Sequence, residues 1–87
     1  MIRATDAREL KQRANEIFRK YNKMKNDVNN LIIFASNTGV GECEYSEPDN
    51  IENEILFGIL QNELISLGYE VSRYLNHKGV KLYISWD

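Results

Sequence analysis

Little in this chain is suited to covalent or metal chemistry. Its 87 residues include one cysteine, one histidine, one proline and one tryptophan. A single cysteine closes no internal disulfide, and one cysteine with one histidine cannot make a four-ligand zinc site without carboxylates or a second copy of the chain. There is no second histidine from which to build a proton relay. The longest apolar run, Leu31 to Ala35, falls far below the roughly 18 residues that span a bilayer, and Met1 is followed by alternating charge rather than an apolar signal core. The chain is therefore expected to be intracellular, with no membrane partner. Low-complexity tracts and internal repeats are also missing. At 43% hydrophobic and 28% charged residues the composition is that of a folded chain, and residues 1–87 are expected to form a single domain.

What is present is a division of charge. Residues 1–25 carry eight Lys and Arg (Arg3, Arg8, Lys11, Arg13, Arg19, Lys20, Lys23, Lys25) against three acids, a net of +5, while residues 26–87 carry three bases against ten acids, a net of −7. Such asymmetry steers a charged partner or draws copies of the chain together head to tail.

Hydrophobic spacing predicts the architecture. Ala7, Leu10, Ala14, Ile17, Tyr21, Met24, Val28, Leu31 and Ala35 alternate steps of three and four, which predicts one helix from Thr5 to Asn37, capped by Thr5 or Asp6, with Asp6 and Glu9 at capping-box spacing. Asn29-Asn30 followed by Leu-Ile-Ile-Phe is the weak point, since it would also suit a break and a strand over Leu31–Ser36. Gly39-Val40-Gly41 follows the last periodic residue. Phosphate loops run strand, glycines, helix, whereas here the order is helix, glycines, strand, so these glycines are read as punctuation. Val40 to Ser46 alternates as a strand, with Cys43 and Tyr45 on one face and Glu42 and Glu44 on the other. A second helix is predicted after Pro48, capped by Asp49 with Glu52, its apolar face made of Ile51, Ile55, Leu56, Ile59, Leu60, Leu64 and Leu67, and ended by Gly68. Tyr69–Leu75 and Val80–Trp86 read as a hairpin across Asn76-His77-Lys78-Gly79. The fold class is α+β: a long N-terminal helix, then β-α-β-β, with a three-stranded, mainly antiparallel sheet. The last strand is expected in its centre.

Catalysis is not expected, and neither is a cofactor or a metal. Cys43 lies between Glu42 and Glu44, which disfavour a thiolate, and reads as packing. His77 reads as a solvated loop residue. Glu52 with Glu63, or Glu42 with Glu44, could serve as an acid/base pair only if buried, and their positions read as exposed. Three surfaces are left. Tyr74 and Tyr83 should point outward on adjacent strands near Lys81, Ser72, Ser85 and Glu70, which are the makings of a protein-binding patch, and Arg19 and Lys23 on the first helix are candidates for the same role. Arg8, Lys11, Arg19 and Lys23, at helical spacing, are the candidates for a nucleic-acid partner. Finally, a helix of about 50 Å overhangs a globule about 30 Å across by about 20 Å. A homodimer or higher oligomer packed through Leu10, Ile17, Tyr21, Met24 and Val28 would cover the stripe.

Ala7-Arg8-Glu9-Leu10 opening a helix, a glycine turn near the middle, Leu67-Gly68-Tyr69-Glu70-Val71 and a terminal Ile84-Ser85-Trp86 resemble a group of small uncharacterised proteins encoded by tailed phages and prophages of Gram-positive bacteria. The resemblance implies a phage or prophage origin, and together with the intracellular reading above this gives the cytoplasm of the host cell as the expected location. It is consistent with a small non-enzymatic protein that binds and modulates a host or phage protein, such as a host-defence component. The alternatives are a nucleic-acid-binding or nucleotide-sequestering protein and a structural subunit of the virion.

Overall fold

The computed structural model describes residues 1–87 and has five elements: helix α1 (Ala4–Asn37), strand β1 (Glu42–Glu47), helix α2 (Ile51–Ser66), and strands β2 (Glu70–Asn76) and β3 (Gly79–Ser85). The class is α+β, and the strands form one sheet in the order β1-β3-β2 with both pairings antiparallel. The last strand is central, as its alternation predicts: Val80, Leu82 and Ile84 are fully buried, and both of its edges are paired.

α1 passes through Asn29-Asn30 unbroken. Both asparagines are exposed, while Val28 and Ala35 are buried and Leu31 and Ile32 pack against the core. Their poor helix propensity costs a few tenths of a kcal/mol each, less than the burial of those four apolar side chains returns. The expected caps are corrected at both helix starts. Arg3 occupies the cap position of α1 with no side-chain cap bond, leaving Asp6 to act through the dipole of the first turn. At α2 it is Asn50, one residue beyond Asp49, whose Oδ1 accepts from the Asn53 N–H at 2.7 Å.

The two helices end in the same way. Gly39 takes φ +81°, and the Gly39 and Val40 N–H groups donate back to Ser36 and Ala35. Gly68 takes φ +98°, with Gly68 and Tyr69 donating to Ile65 and Leu64. This is the Schellman pattern. Val40, expected to open β1, belongs instead to this turn.

The core is one cluster: Met24 and Val28 of α1, Tyr45 of β1, Leu56, Phe57, Leu60 and Leu64 of α2, and Val80, Leu82 and Ile84 of β3. Both helices therefore lie on one face of the sheet, and its other face is uncovered. The apolar face assigned to α2 needs correction. Leu56, Leu60 and Leu64 are buried together with Phe57 and Asn53, whereas Ile51, Ile55, Ile59 and Leu67 are exposed. The helix is rolled so that Phe57 stacks against Tyr45, with ring centroids 5.5 Å apart, and the isoleucines form an outer ridge. Asn53 anchors the start of α2, its Nδ2 donating to the Pro48 carbonyl at 2.7 Å.

The long axis of the molecule measures 54 Å against 27 and 19 Å, and the radius of gyration is 15.6 Å, where a compact chain of this length would have about 12 Å. The cause is α1. Every residue from Met1 to Arg19 is exposed, so the first part of the helix projects as an arm of about 24 Å beyond the two-layer body.

Candidate functional site

Strand register builds the uncovered face of the sheet. Alternation sends Val80, Leu82 and Ile84 inward, so Lys81, Tyr83 and Ser85 point outward, and their paired neighbours share that face. Tyr83 lies between Glu44 and Ser72, Lys81 between Ser46 and Tyr74, and Ser85 between Glu42 and Glu70. The result is a surface with two tyrosines on adjacent strands at diagonal positions. Tyr74 is 55% and Tyr83 37% exposed. The Lys81 Nζ sits 3.1 Å from Glu44 Oε2. Glu42 foremost, then Glu44, push the Tyr83 phenol above its ordinary pKa. With three glutamates and one lysine, this face complements a partner surface that is basic and partly apolar.

Arg19 and Lys23 are exposed on α1, in the helical layer, and so do not join Tyr74, Tyr83 and Lys81 in one patch. Lys20 pairs with Glu52 at 3.2 Å and Lys25 with Glu63 at 3.0 Å. Arg8, Lys11, Arg19 and Lys23 form no ion pair. At 100° per residue these four share one side of α1 with Gln12, Asn15, Asn22 and Asn26, and no acid lies among them.

The proposed self-association seam divides in two. Met24 and Val28 are 2% exposed and belong to the core of their own chain, and Tyr21 packs against that core, so these three are removed from the seam. Leu10 at 55% and Ile17 at 43% remain uncovered on the arm. The cover ends at Lys20, which pairs with Glu52 of α2, and every residue before it is exposed.

Tyr21 makes a contact that local pattern does not reveal. Its hydroxyl donates to Glu63 Oε2, while Lys25 approaches Glu63 Oε1. The Tyr21 hydrogen bond, and after it that of Lys25, hold the Glu63 carboxyl below its usual range, and burial with the Glu63 hydrogen bond pushes the Tyr21 phenol up. Beside this cluster a cleft of about 230 Å³ opens between α1 and α2, lined by Lys25, Asn29, Ile32, Glu63, Leu67 and Tyr69 among others. Arg73, whose position was not assigned from the sequence, faces inward on β2 and extends its Nη1 to within 3.4 Å of the Glu54 carbonyl, beside Gly58.

Burial, rather than the flanking glutamates, pushes the Cys43 thiol up. His77 is exposed in the hairpin turn. That turn is set by Asn76, whose Oδ1 accepts from the Lys78 and Gly79 N–H groups at 2.8 and 3.1 Å. Gly79 is needed at this point because a Cβ there would lie 2.3 Å from the Glu47 carbonyl oxygen. Glu52 and Glu63 pair with different lysines and make no acid/base dyad. No group of three His, Cys, Asp or Glu side chains converges as metal ligands would, and no helix is long and apolar enough to cross a membrane. A scan against protein-family models, a search of curated proteins and a search of solved structures each return no match.

Proposed function

We propose that the chain is a small non-enzymatic phage protein that binds and modulates a host or phage protein, a host-defence component being the kind of target in view. The observation that carries this reading is the uncovered sheet face, where Tyr74 and Tyr83 stand among Glu42, Glu44, Glu70 and Lys81. Two exposed tyrosines held on paired strands give rigid amphipathic contact area at low entropic cost, which is what interface hot spots require. The motif resemblance to small phage proteins supports the biological setting. The test is capture from infected cells with the wild type and with Tyr74→Ser/Tyr83→Ser side by side. One stoichiometric protein that is lost with the double variant supports the reading, whereas virion proteins captured equally by both favour a structural subunit.

A second reading, nucleic-acid binding, is favoured by the acid-free side of α1 with its unpaired Arg8, Lys11, Arg19 and Lys23. It requires affinity that falls over several decades as salt rises, and a flat salt profile removes it.

A further inference from the structure

Among the apolar surfaces that lie uncovered, two match. The first is the continuation of the α1 core stripe onto the arm: Leu10, Ala14 and Ile17, with Phe18 beside them. Leu10 and Ile17 follow at seven-residue steps the line that ends in Met24, which is buried. The second is the outer ridge of α2, where Ile51, Ile55 and Ile59 recur every four residues and Ile55 is 59% exposed. At 1.5 Å per residue, Leu10 to Ile17 spans about 10 Å and Ile51 to Ile59 about 12 Å. The flanks are complementary as well. At 100° per residue Lys11 and Arg13 fall on opposite sides of the arm stripe, with Glu9 and Glu16 farther round, and the isoleucine ridge is flanked on one side by Glu54, which forms no ion pair, and on the other by Glu52, which already pairs with Lys20 of its own chain. Within one chain the two cannot meet, because α1 is unbroken and carries the arm away from α2 beyond the Lys20–Glu52 pair.

We propose that the occupant of each surface is a second copy of this chain: the arm of each protomer lies along the isoleucine ridge of its partner, and the two exchanged contacts close a dimer. Reciprocal exchange makes the interface self-complementary, so the assembly stops at two. It removes from water six aliphatic side chains per exchanged contact that otherwise remain exposed, counting Ala14 with Leu10 and Ile17 on the arm and the three ridge isoleucines. It gives the arm the tertiary cover that an isolated helix of this length needs. Arg8, Arg19 and Lys23 on the acid-free side of α1 stay outward, Lys11 lying at the edge of the contact, and the tyrosine face of the sheet stays outward as well.

The test is the mass of the purified full chain in solution, read by light scattering, together with disulfide trapping. The wild type is expected at twice the chain mass, and Ile17→Asp and Ile55→Asp each halve it while leaving the circular dichroism of the body intact, since neither residue lies in the core. In a Cys43→Ser background, mixing Ile17→Cys with Ile55→Cys is expected to give a disulfide joining positions 17 and 55 across copies. A monomeric wild type overturns the proposal. So do trapping only between two position-17 cysteines, which would mean arm against arm, and a mass that climbs without limit with concentration, which would mean an open chain. Tyr74→Ser/Tyr83→Ser is expected to leave the mass unchanged, which separates this interface from the sheet-face reading.

Discussion

Glu63 sits where two elements meet, accepting from Tyr21 and facing Lys25, and its carboxyl is held low, first by the Tyr21 hydrogen bond. A carboxyl whose pKa is depressed on folding contributes stability above its unfolded value, here the ordinary 4.5, and loses it as pH falls through the lower folded value. Glu63→Gln should therefore lower the urea midpoint at about pH 7, with the difference from wild type shrinking as the pH falls below 4.5 and through the lower folded value. A difference that persists undiminished at acid pH would contradict this. Phe57 is the largest fully buried side chain, and Phe57→Ala should cost about 3–5 kcal/mol, a large share of the stability of so short a chain, measured by the same titration. Cys43→Ala should cost only about 1 kcal/mol, and native Cys43 should resist alkylation at neutral pH because burial disfavours its thiolate. Of these residues, Cys43 was legible from its place in an alternating strand. Phe57 was not, because the apolar residues of α2 nearly encircle the helix and no stripe marks which side is inward. Tyr21–Glu63 joins positions 42 residues apart, and only the crossing of two helices brings them together.

Element existence and order were legible because each signal is local: the three-four alternation for α1, glycines one or two residues beyond the last turn, and alternation in β3. Helix starts were not, because several residues near each one can cap, and the fit of the chain entering the helix decides among them. The glycine ends carry a direct test. Nothing lies within 4 Å of a Cβ built at Gly39 or Gly68, so Gly39→Ala and Gly68→Ala meet no clash and suffer only the positive φ. Each should cost about 1 kcal/mol, read from thermal or urea unfolding. An unchanged midpoint would show that these turns relax freely. The arm gives the element-scale test of assembly. A lone helix of about four turns frays in water. Arm amides should therefore exchange slowly in the wild type and rapidly in Ile17→Asp, while amides of β3 stay protected in both.

At the scale of the whole molecule, the chain is a two-layer body with one bare sheet face and a basic rod projecting from the helical layer. The charge partition legible in the sequence becomes a partition in space: the unpaired cations of α1 lie in one layer, and Glu42, Glu44 and Glu70 on the far side of the other. The same partition keeps the two functional readings apart, since a protein partner on the tyrosine face and phosphates on the rod would touch different residues. The most direct measurement is therefore a parallel capture from infected cells, quantified by mass spectrometry, using wild type, Tyr74→Ser/Tyr83→Ser and Arg19→Glu/Lys23→Glu. One protein recovered at near-equal stoichiometry with the wild type, and lost with the tyrosine variant, is the predicted result. Recovery untouched by the tyrosine substitutions, or nucleic acid recovered and then lost with Arg19→Glu/Lys23→Glu, would contradict it.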